Sequence, residues 1–124
     1  MAYGMSREQF DRLVEEALQR VPKRYRRHFS NVRVLVEDFP SEEDAGLAGV
    51  PRNELLGLFA GAAYPAKGSF FDIPAPLPDS IILYQKNIEA ICNSEDQLIE
   101  EIRLTLVHEV GHYFGMSEED LEQY

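Results

Sequence analysis

The 124-residue chain has no tryptophan and one cysteine, Cys92. A lone thiol cannot close an internal disulfide, so stability must come from a packed core and hydrogen bonds. No apolar run approaches the roughly 20 residues of a membrane-spanning helix. The N-terminal MAYGMSREQF lacks the apolar stretch of a secretory leader. These absences predict a soluble, cytoplasmic protein with no membrane contact. Basic residues are scarce: 12 Lys and Arg stand against 22 Asp and Glu, a net charge of -10. Such a chain repels phosphate backbones, so nucleic acid is not an expected partner. Seven Phe and six Tyr supply the aromatic bulk. The length suits one domain over residues 1–124 with a single core, and a monomer is expected.

The few bases are unevenly placed. Arg20, Lys23, Arg24, Arg26, Arg27 and Arg33 are half of the total, whereas Glu89 to Tyr124 holds ten acids and one base, Arg103. A basic cluster of this kind reads first as a solvated helix end. The alternative is a docking patch for an acidic partner or for the chain's own acidic tail.

Periodicity outlines the elements. Ser6 with Gln9 forms a capping box, and Phe10, Leu13, Val14, Ala17, Leu18 and Val21 follow at helical spacing. Pro22 ends this helix or opens a short second one through Tyr25 and Phe29. NVRVLVED alternates Val32, Val34 and Val36 and predicts a strand. SEEDAGLAGVPRN reads as a polar loop. LLGLFAG, residues 55–61, predicts a short strand whose glycines suggest an edge or a bulge. Residues 62–79 carry four prolines and predict a long loop, a common functional feature in a small domain. Its aromatics Tyr64, Phe70 and Phe71 either close over a cleft or plug the core from outside. SIILY predicts a buried strand, and residues 87–92 a helical turn with Cys92 in the core. Ser94 with Gln97 forms a second capping box. It opens a helix through Leu98, Ile102, Leu106 and Val110 to about residue 114. The order predicts an α+β fold, a small sheet against helices, with the long helix near the C-terminus.

That helix carries HEVGH. His108 and His112 stand one turn apart, offset by only about 40° around the axis, so both imidazoles reach one ion. Two nitrogens on one face suit zinc. Glu109 sits about 100° from His108, beside the ion without being an obvious ligand. In this motif such a glutamate is the general base toward a zinc-activated water. Two of the three histidines are spent here. The third, His28, lies among arginines and reads as a surface residue. Gly115 suits a left-handed helix end, after which the chain turns back. Gly111 has no role that the sequence explains, because a mid-helix glycine costs about 1 kcal/mol relative to alanine.

HEVGHYFGMSEE matches HExxHxxGxx(D/E), the signature of metzincin-like zinc peptidases. With the amphipathic first helix, NVRVLVED, LLGLFAG, LPDSIILYQKNIEA and the terminal helix pair, nearly the whole chain resembles a small bacterial family of zincin-like metallopeptidases. The resemblance implies a minimal zincin-like fold with a small mixed sheet, one three-residue zinc site and hydrolytic potential. It brings no substrate. This chain has Glu118 where the family usually places a third-ligand aspartate, Gly111 where alanine is common, and no room for the methionine turn of full metzincins.

The expected function is therefore zinc-dependent hydrolysis of a peptide or protein substrate. His108, His112 and Glu118 are the expected ligands of one Zn²⁺, and Glu109 is the base. A catalytic zinc takes three protein ligands and an open position. Twelve residues follow His112, so the third ligand is expected from the tail or from far upstream. If Ser117 caps the last helix, Glu118 faces the ion, Asp120 is occupied in capping, and Glu119 and Glu122 point elsewhere. Asp120 is the alternative third ligand. Tyr84, Tyr113 and Tyr124 are candidate oxyanion donors by type only. A different reading is a non-catalytic zinc-binding or interaction module that keeps the fold. Glu109 separates the two, since a structural zinc site needs no base and is usually closed by four ligands.

Overall fold

Ser6 accepts from the Gln9 amide at 3.1 Å, and the Gln9 side chain accepts from the Ser6 amide at 3.1 Å. This reciprocal cap satisfies two of the donors that a helix start leaves open and begins α1, Arg7–Gln19. In this computed structural model the chain is described over residues 4–30, 32–60 and 79–113. The predicted loop at 62–79 lies outside the described residues except for Asp79.

Phe10, Leu13, Val14 and Ala17 bury the inner face of α1. Pro22 opens a second helix, α2, Lys23–Arg26, which tightens into a 3-10 turn over Arg27–Phe29. Strand β1, Val32–Glu37, follows as the alternating valines predict. SEEDAGLAG is not the expected polar loop. It contains helix α3, Glu42–Ala48. Ser41 accepts from the Asp44 amide at 3.0 Å, and three acids occupy the first turn. Gly49 closes the helix at φ 75°, which only glycine adopts without strain. The polar composition hides a complete set of helix-end signals.

Strands β2, Gly57–Ala60, and β3, Asp79–Tyr84, complete a three-stranded sheet in the order β1-β3-β2. β3 runs parallel to β1 and antiparallel to β2. Helix α4, Gln85–Ala90, and helix α5, Glu95–Tyr113, follow. Val34, Ile81 and Phe59 are in register across the sheet, as are Val36, Leu83 and Gly57. These residues share one face, and α1 and α5 pack on it in a core that includes Phe10, Leu13, Leu98, Ile102, Leu106 and Val110. The result is the expected α+β layer with a small mixed sheet. No helix among the described residues is long and apolar enough to cross a membrane.

Candidate metal centre

Helix α5 carries the candidate site. Its start is capped by Ser94, which accepts from the Gln97 amide at 3.2 Å. Gln97 reaches back one residue further than a standard capping box, accepting from the Asn93 amide at 2.6 Å. Leu98, Ile102, Leu106 and Val110 are all fully buried and hold one side of the helix against the core. The helix continues through His108, Glu109 and His112 to Tyr113. His108 and Glu109 are half-buried, on the turn where the core stripe ends.

Three contacts fix the helix around these positions. Val107 is buried against Val21 and Tyr25 of the α2 segment. Thr105 faces Gly57 of β2, where a Cβ would stand 2.7 Å from Thr105 Cγ2 and 3.2 Å from the Ile82 carbonyl oxygen. That glycine is present because a helix side chain occupies the space. On the helical wheel His108 falls about 100° from Val107 and about 60° from Thr105, between the two. The helix position of His112 lies in the same sector, about 20° from Thr105. The histidine positions are thus flanked by α2 on one side and by β2 on the other.

β2 is itself held by side chains that the sequence does not mark. The Asn87 amide donates to the carbonyls of Arg52 and Leu55, both at 2.8 Å. The Tyr84 amide donates to Leu56 O at 3.0 Å. Among the described residues β2 pairs with β3 alone, so it stands at the end of the sheet order, as its shortness and glycines predict.

The donor set fits zinc as far as it is described. The helix is unbroken across both histidine positions, which stand one turn apart, and imidazole nitrogen is a ligand that zinc takes. Among the described residues no group of three or more His, Cys, Asp or Glu converges on one point. Glu118, Asp120 and Gly115 lie outside the described residues. Tyr84 does not suit the oxyanion role, because its side chain is fully enclosed at the end of β3. Tyr124 lies outside the described residues. His28 is half-buried rather than a surface residue, with its ring edge-on to Tyr25 at 5.9 Å. Cys92 is buried as expected; burial, and next the charge of Glu101, push its thiol above the ordinary range. Gly111 is buried.

No curated protein matches the chain. A conserved hypothetical protein from Thermus thermophilus has a similar solved structure, with 29% sequence identity and a TM-score of 0.54. The similarity covers 88% of this chain and 94% of that one. The sequence model of the zincin-like metallopeptidases matches residues 29–124, from the end of the α2 segment through the HEVGH helix to the last residue, and the chain belongs to that family.

Proposed function

We propose that the protein is a zinc-dependent peptidase in which Glu109 is the general base and His108, His112 and Glu118 hold the metal. One observation carries the reading: HEVGH lies on a single helix, with His108 and Glu109 half-exposed on the turn that follows the contact of Thr105 with Gly57 of β2. Zinc, when bound, supplies Lewis acidity and lowers the pKa of water toward neutrality. Glu109 takes the proton of the attacking water and passes it to the departing amine. β2 offers its outer edge for backbone pairing with an extended substrate, which is how sheet edges recruit peptides.

The test is Glu109→Gln compared with wild type for zinc content and for cleavage of a peptide library. The variant should keep its zinc and lose hydrolysis by about 10²–10⁴-fold, the usual loss on removing a general base. Loss of zinc would assign Glu109 as a ligand. A zinc-loaded wild type that cleaves nothing would favour a binding module.

A further inference from the structure

Resting on the peptidase reading, we infer that the α2 segment is a recognition surface that selects substrates with an acidic stretch and orients them across the site.

The sequence from Val21 to Val36 holds five bases and no Asp or Glu. Lys23, Arg24, Arg26, Arg27 and Arg33 are all exposed. Their surroundings divide them. Arg26 is structural: its guanidinium donates to Val21 O at 2.9 Å and to Gln19 O, closing the corner after α1. Arg20, just before the segment, pairs with Glu16 at 3.4 Å. Lys23, Arg27 and Arg33 have no carboxylate of the described residues within ion-pair distance. On this ridge Lys23 and Arg27 therefore carry charge that no carboxylate among the described residues neutralises.

Its position gives that charge a use. Tyr25 and Val21 turn inward onto Val107, the residue before His108, so the segment carrying Lys23 and Arg27 is packed on the helix that carries the site, whereas Arg33 stands on β1 on the sheet face opposite Val32, Val34 and Val36. The α2 segment borders one flank of the histidine sector, and β2 borders the other. The rest of the chain is acidic enough to repel an acidic peptide from most approaches. A substrate paired along β2 with acids toward α2 meets attraction, whereas the opposite orientation meets repulsion. Charge placed this way fixes orientation and selects partners more than it adds raw affinity.

The experiment uses full-length, zinc-loaded Glu109→Gln protein, so that binding is read without turnover. Fluorescence anisotropy compares a labelled peptide carrying a run of Asp and Glu with its Asn/Gln counterpart. The acidic peptide should bind about tenfold more tightly at low salt, and high salt should erase the difference. Lys23→Glu/Arg27→Glu should remove the preference, and Lys23→Gln/Arg27→Gln should reduce it by a smaller factor. Circular dichroism and thermal melting check that both variants fold. Equal affinity for the two peptides, or a preference that survives charge reversal, would overturn the inference. So would equally tight binding of an oligonucleotide of the same charge, which would mark a general polyanion surface. If reversal lowers the melting temperature and leaves the preference intact, the ridge holds the chain's own acids and the inference fails. Cleavage of the same peptides by the protein with Glu109 intact separates the two readings. Both cleaved with equal kcat/KM would sink the ridge and keep the peptidase. Neither cleaved, with binding still selective, would sink the peptidase and keep the ridge.

Discussion

At the scale of single residues, Gly57 and Thr105 set how closely the edge strand approaches the site helix. Gly57→Ala places a methyl 2.7 Å from the Thr105 Cγ2 atom, and Thr105 is held because its hydroxyl donates to Glu101 O at 2.8 Å. The substitution should cost about 1–3 kcal/mol, the usual penalty for overpacking, read by urea unfolding. Thr105→Ser removes the offending methyl and should recover part of that loss in the double variant; additive losses would show that the close approach is not the cause. Cys92 makes a second prediction. Its raised thiol favours the protonated form in the folded state, so the associated stability is present below the ordinary value of 9.0. That stability is lost as pH rises through the higher folded value. Wild type should therefore weaken more steeply above pH 9.0 than Cys92→Ala, measured as the shift in urea midpoint. Glu118→Ala should abolish tight zinc binding, whereas Glu119→Ala and Glu122→Ala should leave it nearly unchanged by metal titration. Zinc retained in Glu118→Ala with loss in Asp120→Ala would move the third ligand to Asp120.

At the scale of elements, β2 is delivered to the sheet by contacts distant in sequence. The segment before it has no regular pairing, and Asn87 replaces that pairing with two donors from one buried amide. Asn87→Ala leaves two carbonyls without that partner and should cost about 1–3 kcal/mol. Its effect should concentrate on β2: amide exchange should quicken at residues 52–60 while the buried turns of α5 keep their protection. Uniform loss of protection would show that Asn87 supports the whole domain instead. α3 depends on Ser41 in the same local way, and its removal by Ser41→Ala should cost about 1 kcal/mol, as for other helix N-caps.

At the scale of the whole molecule, a buried polar set ties the start of the chain to the end of the sheet. Gln85 donates to Met5 O at 3.0 Å and to Glu89 Oε2 at 2.8 Å, and accepts from Arg7 Nε at 2.7 Å. Arg7 also donates to Val36 O at 2.8 Å and pairs with Asp38 at 2.7 Å. α1 is thereby fixed against both β1 and α4. The Arg7–Asp38 pair is largely exposed and adds little by itself, whereas the Gln85 bonds are shielded from water. Gln85→Leu should therefore destabilise by at least about 2 kcal/mol in urea unfolding, because the partners of a buried amide are left behind. Arg7→Ala should cost less. The reverse ranking would place the stabilisation in the surface ion pair.

What is local or periodic is already legible in the chain. Helix α1 and its reciprocal cap follow from Ser6, Gln9 and a 3.6-residue stripe, and α5 follows from Leu98, Ile102, Leu106 and Val110. β1 and β3 follow from β-branched and apolar runs, and both histidine positions of HEVGH fall on one helix as their spacing predicts. α3 is legible too, in Ser41 and Gly49, although polar composition outweighs its end signals. Long-range packing settles what depends on residues distant in sequence. Nothing near Gly57 shows that Thr105 will fill the space a side chain would take. Nothing near Asn87 or Gln85 shows that their amides will meet carbonyls from Met5, Arg52 and Leu55. The basic run from Lys23 to Arg33 reads as solvent-facing surface in one dimension. Only the burial of Tyr25 and Val21 on Val107 sets its first part against α5, because packing, and not spacing, brings α2 to that helix.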